Sequence, residues 1–158
     1  MKTRHLTMAL LALTLFGGVA EAAVQPVCAR AATSLRKGPG TQFPVTWKVA
    51  KFMPFLSLQR KSGWSKVQDL EGDVHWVRSV DVTNKVRCVV VKTSVAALHK
   101  QPNANSPAED FKTLDRYTPL KRIGDEPDWL QVEDEAGHKA WIHSSQVWKP
   151  VLVNSFTF

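Results

Sequence analysis

Residues 61–82 read KSGWSKVQDLEGDVHWVRSVDV, and residues 126–147 read EPDWLQVEDEAGHKAWIHSSQV. Laid over each other at an offset of 65, they pair Trp64 with Trp129, Val67 with Val132, Asp69 with Asp134, Gly72 with Gly137, Trp76 with Trp141, Ser79 with Ser144 and Val82 with Val147. Trp is rare, so two aligned Trp on one register mark an internal repeat. Within each copy, turn residues split two short alternating runs. Lys61-Ser62-Gly63 and Glu71-Gly72-Asp73 bracket Trp64–Leu70 and precede Val74–Val77, a hairpin pattern. Asp125-Glu126-Pro127-Asp128 and Glu135-Ala136-Gly137 stand at the same places in the second copy.

The repeat extends upstream at an offset of 63, where Leu35 meets Leu98, Lys37 meets Lys100, Pro39 meets Pro102 and Pro44 meets Pro107. By Pro54 and Pro119 the offset is 65, so the second copy carries two extra residues in a loop or bulge. Pro44 and Pro54 exclude a helix through the middle of the first copy, and Phe55–Arg60 (FLSLQR) alternates as a half-buried strand does. Short strands at this spacing predict two small all-β barrels, 23–84 and 85–150. Each is so small that its own core is marginal without packing or a covalent staple.

Ahead of the repeats, Lys2, Arg4 and His5 precede an apolar run, Leu6–Phe16, that is too short to span a bilayer. Ala20-Glu21-Ala22 then fits a small-x-small cleavage signal. Residues 1–22 are therefore expected to be a signal peptide cut after Ala22, the alternative being an uncleaved anchor. Gln25-Pro26-Val27 before Cys28 lacks the small residue of a lipoprotein site, so no lipid anchor is expected. The mature chain is expected to be periplasmic or secreted and to have no membrane span. Residues 151–158 alternate in part and read as an added strand or a tail.

Export permits disulfides, and the chain has two cysteines, Cys28 and Cys88. They either close one bridge across the first repeat or remain buried thiols. The net charge of +7 is unevenly distributed: residues 23–85 carry 10 Lys/Arg against 4 Asp/Glu, residues 86–158 carry 9 of each. A basic domain outside the cytoplasm points to anionic envelope polymers or an acidic protein rather than nucleic acid. The same charge on a solvated surface would serve solubility alone.

These landmarks resemble the bacterial SH3 domain family. The first copy opens with Leu35-Arg36-Lys37-Gly38-Pro39-Gly40, continues with Gly63-Trp64-Ser65-Lys66-Val67, and closes with Gly72, His75-Trp76-Val77 and Arg78-Ser79-Val80. It departs at His75, where glycine is usual. The second copy keeps Trp129, Val132, Gly137 and Trp141-Ile142 but opens with Leu98-His99-Lys100-Gln101-Pro102-Asn103, without glycine. The resemblance implies tandem five-stranded SH3-like barrels. It also implies an aromatic groove between loops, with peptidoglycan peptides or an envelope protein as partner.

Strand parity bears on where a ligand sits. Leu130 and Val132 share one strand face and Trp129 takes the other; Val67 and Trp64 are likewise opposed. With the valines inward, Trp64 and Trp129 face out, either as binding platforms or as lids covered by the opening loop. Phe43, Trp47 and Tyr117 flank the same loops and complete the candidate ligand-binding set. Nothing points to catalysis, cofactor or metal. His138 and His143 are five apart and face opposite ways on a strand, the cysteines have no His partner motif, and no phosphate loop is present. The expectation is a non-enzymatic, cofactor-free binding module, the alternative being an adaptor or regulator of an envelope protein.

Overall fold

A computed structural model describes residues 23–151, except for the side chains of residues 108–112. The expected signal peptide and nearly all of the C-terminal tail lie outside the described residues. Each repeat forms its own antiparallel sheet. The first contains β1 (Gln25–Ala29), β2 (Thr33–Arg36), β3 (Val45–Val49), β4 (Pro54–Lys61), β5 (Trp64–Gln68), β6 (Val74–Arg78) and β7 (Val82–Thr83). The second contains β8 (Arg87–Val91), β9 (Val95–His99), β10 (Ala108–Asp115), β11 (Pro119–Glu126), β12 (Trp129–Glu133), β13 (Lys139–His143) and β14 (Val147–Trp148). Their strand orders are identical, β3-β2-β6-β5-β4-β1-β7 and β10-β9-β13-β12-β11-β8-β14. A single turn of 3-10 helix, Ser79–Asp81 and Ser144–Gln146, leads into the last strand of each. The chain is thus all-β, in two tandem SH3-like units. Each has seven short strands where five were expected, the two-residue β7 and β14 closing their sheets against β1 and β8.

The repeat is exact enough to include irregularities. The β4–β5 pairing shifts between Ser57 and Gln59, and the β11–β12 pairing shifts between Arg122 and Gly124, the corresponding place. Such bulges bend the strands and help a short sheet close on itself. Phe52 and Tyr117, at equivalent positions, both adopt φ 69°. Each places its amide on the first strand of its barrel, Phe52 N donating to Ala29 O and Tyr117 N to Val91 O, both at 2.9 Å.

Alternation builds the cores. Leu35, Phe55, Val67 and Val77 fill the first barrel; Leu120, Leu130, Val132 and Ile142 fill the second. On β8 the alternation is used twice. Val89 and Val91 enter their own barrel, while Val90 is fully buried in the core cluster of the first, with Trp148 packed against it. Beside this seam Cys28, Phe52 and Cys88 form a further cluster with Val86.

Cys28 and Cys88 are bonded, with their Cα atoms 6.0 Å apart. The bridge does not close within the first repeat, as the spacing suggested: Cys28 lies on β1 and Cys88 on β8, so it fastens one barrel to the other. After β7 completes the first sheet, the chain returns alongside β1, which brings Cys88 to Cys28.

Candidate functional site

Ser62 and Gly63, both with positive φ, turn the chain between β4 and β5 and place Trp64 first on its strand. Cross-strand neighbours share a face, so Lys61 on β4 and Arg78 on β6 flank Trp64 directly. As parity predicts, Val67 is inside and Trp64 outside, half-buried. It lines a groove of about 310 Å³ with Thr33, Arg36, Thr41, Arg78 and Asp81.

Two arginines shape this groove. Arg36 reaches back into the opening loop, and its Nη1 donates to Thr41 O at 3.0 Å and Phe43 O at 2.7 Å. Arg78 makes a two-pronged contact with Asp81, Nε to Oδ2 at 2.8 Å and Nη2 to Oδ1 at 3.0 Å, and Thr33 Oγ1 donates to the same carboxylate at 2.8 Å. Asp81 answers Arg78 alone, leaving Arg36 bonded to carbonyls only and Lys61 as the exposed cross-strand neighbour of Trp64. An aromatic wall with surplus positive charge suits a ligand bearing carboxylate groups. Phe43 lies in the same loop, its ring so close to Gly38 that a Cβ there would sit 2.6 Å from Phe43 Cδ1.

Trp129 holds the matching position on β12, but its surroundings differ. The residue is only 9% exposed. His99 meets it edge-on at 5.0 Å and His143 at 5.3 Å, with interplanar angles of 83° and 86°. His143 is the direct cross-strand neighbour of Trp129, as Arg78 is of Trp64, and His99 pairs with Trp141 as Arg36 pairs with Trp76. His143 Nδ1 accepts from the Ser145 amide at 3.3 Å, which fixes the ring against the following turn. Trp129 is therefore a covered residue in this structure, whereas Trp64 has an open groove beside it.

Trp47 and Tyr117 do not join the Trp64 groove. They meet each other across the two barrels, edge to face at 5.6 Å and 79°, over a cleft of about 300 Å³ that Thr46, Asp69, Glu71, Asp73 and His75 also line. Tyr117 Oη donates to Glu71 at 3.1 Å, and Arg116 also bonds Glu71 while standing over the Tyr117 ring. The Arg116 guanidinium, with the Tyr117 hydroxyl, holds the Glu71 carboxyl below its ordinary value.

In this cleft Thr46 Oγ1 lies 2.9 Å from His75 Nδ1, and His75 Nε2 lies 3.2 Å from Asp69 Oδ2. The order hydroxyl, imidazole, carboxylate matches that of nucleophilic hydrolases. Asp69, however, spends its other oxygen on the Glu71 and Asp73 amides, both at 2.9 Å, closing the β5–β6 turn. Asp134 closes the equivalent turn by accepting from the His138 amide at 2.9 Å. The aspartate's shared task is thus turn closure, and in the first barrel His75 extends that network to Thr46. Among the described residues no cluster of three metal-ligating side chains occurs, and no helix is long and apolar enough to cross a membrane.

Sequence reasoning missed Arg36 and Arg78 as partners of Trp64. The signal was there: overlaying the copies sets Arg36 against His99 and Arg78 against His143.

The family model described as "Bacterial SH3 domain" matches residues 30–83 and again 92–149. No curated protein sequence matches the chain. Among solved structures, an NlpC/P60 family protein from Bacillus cereus ATCC 10987 is similar over 80% of this chain and 56% of its own, at 14% identity and a TM-score of 0.37. NlpC2 from Trichomonas vaginalis is similar over 79% of this chain and 48% of its own, at 7% identity and a TM-score of 0.35. NlpC1 from the same organism is similar over 87% and 50%, at 8% identity and a TM-score of 0.35. The chain spans about half the length of each.

Proposed function

The chain belongs to the bacterial SH3 domain family, and on that premise we propose that it is an exported, non-catalytic binding module that seats a cell-wall peptide on the Trp64 groove of its first barrel. The observation that carries this reading is the open aromatic wall of Trp64 set between Lys61, Arg36 and Arg78. Stem peptides of the wall present carboxylates on short, small-bodied residues. A guanidinium-flanked indole offers charge-assisted hydrogen bonds and a rigid contact surface at once. Export is supported by the basic, apolar and small-residue order of residues 1–22 and by a disulfide, which persists in oxidising compartments. The second barrel serves as the scaffold that holds the first.

The test is sedimentation of residues 23–158 with purified peptidoglycan across a salt series, beside Trp64→Ala. Retention of the wild type and its loss in a folded Trp64→Ala variant is the expected result. Retention that disappears with modest salt and ignores Trp64 would reduce the interaction to charge alone. The function would then lie with a protein partner.

A further inference from the structure

On the flank of the inter-barrel seam, Arg87 on β8 and Arg122 on β11 are directly opposite cross-strand partners. Like charges in that relationship are destabilising. One carboxylate offsets them: Asp125 accepts from Arg87 Nη1 at 2.9 Å and from Arg122 Nε at 2.6 Å. Lys149 lines the same groove, and among the described residues no carboxylate pairs with it. Three cations thus face one anion, although the second repeat as a whole carries equal numbers of each sign. In the first barrel Gln25 and Ser57 pair across β1 and β4 as Arg87 and Arg122 pair across β8 and β11, and Asn84 stands at the place of Lys149, so the fold itself does not require the cations.

The groove has a volume of about 330 Å³, and Pro26, Pro150 and the buried Cys28–Cys88 bridge contribute an apolar floor beside the charges. Arg87 remains largely exposed while Arg122 is mostly covered. One guanidinium is therefore held in place and the other has donors turned to solvent. A guanidinium fork matches a pair of oxygens on a carboxylate or a phosphate group.

We propose that this seam groove is a second ligand site, distinct from the Trp64 groove, that binds a carboxylate or phosphate group carried on a small apolar body. The anion adds to the neutralisation that Asp125 begins, and the apolar body lies on the proline and disulfide floor. Because both barrels line the groove, occupancy also braces the seam.

The experiment is a thermal melt of residues 23–158 with phenyl phosphate or phenylacetate, against sodium chloride at matched ionic strength. A millimolar site filled at about 10 mM probe should raise Tm by about 3–6 °C above the chloride control. Arg87→Gln and Lys149→Gln, both at solvent-facing positions, should each remove at least about half of that rise, while Trp64→Ala leaves it intact. The probe that gives the larger rise identifies the head group. A rise no greater than that with chloride, or one unchanged in both variants, overturns the proposal. A rise abolished by Trp64→Ala places the probe in the other groove and overturns it equally. Side-chain guanidinium NMR shifts on titration supply the same answer for any variant that melts too low to compare.

Discussion

Trp64 and Trp129 each begin the strand after the same hairpin turn, yet Trp64 borders an open groove and Trp129 is closed between two imidazole rings. The difference lies in their neighbours. Arginine ends reach away to carbonyls and to Asp81 and leave the indole face clear; the shorter histidines meet the Trp129 ring edge-on and cover it.

Replacing each Trp with Ala should therefore have opposite effects. Trp64→Ala should lower peptidoglycan retention at least about tenfold, the loss of one aromatic anchor, with little change in a urea melt. Trp129→Ala should cost about 3–5 kcal/mol in the same melt, since it empties a packed space, and should leave retention near wild type once the protein is folded. A Trp129→Ala variant of native stability that no longer binds would reverse the two assignments.

The inter-barrel disulfide should be a major contributor to stability. It closes a loop with a sequence separation of 60, for which chain entropy alone gives about 4 kcal/mol. The Cys28→Ser/Cys88→Ser double variant should unfold at markedly lower guanidinium concentration and be indifferent to reductant, whereas the wild type should fall to the same midpoint on reduction. An unchanged midpoint would mean that the apolar seam around Val90 suffices by itself.

Acid should destabilise the second barrel through Asp125 and Asp134. Burial pushes both carboxyls up, but Arg122 and Arg87 around Asp125, and the His138 ring and amide beside Asp134, outweigh it and hold each below the ordinary 3.8. A carboxyl depressed in the folded state stabilises fully above its unfolded value, and that contribution is lost as pH falls through the folded one. Melting temperature should thus decline below about pH 4, and Asp125→Asn and Asp134→Asn should each make the decline shallower. A decline equally steep in both variants would locate the acid sensitivity elsewhere.

Gly38→Ala should disturb the opening loop of the first barrel. Its added methyl would collide with the Phe43 ring, and Phe43 O is an acceptor for Arg36. The expected result is a loss of about 1–3 kcal/mol together with weaker retention. Native retention would show that the loop can shift without moving Arg36.

The barrels were legible in the sequence because their determinants are local. Turn glycines, alternating valines and a repeated Trp need only short-range spacing to be read, and parity alone put Val67 inside and Trp64 outside. The seam was not legible. Val90 looks like any strand valine, and its burial in the other barrel's core depends on how two finished units meet. The same holds for the cysteines, whose count suggested a bridge but whose span depended on β8 lying beside β1. Of the aromatic set, Trp47 lies within β3 and Tyr117 between β10 and β11, and they face each other across the seam, away from the Trp64 groove, because the two barrels pack there.

The position of the Cys28–Cys88 bond has a mechanical consequence. It encloses β2 to β7, nearly the whole first barrel, while β14 near the other end of the described chain is paired to β8. Tension applied to the two ends would pass from β1 through the sulfurs to β8 and leave the first barrel out of the loaded line. Roughly 200 Å of contour length, from a separation of 60 residues at extended-chain spacing, would stay hidden until the bond is reduced. A chain bonded in this way keeps the enclosed strands slack while its ends are pulled.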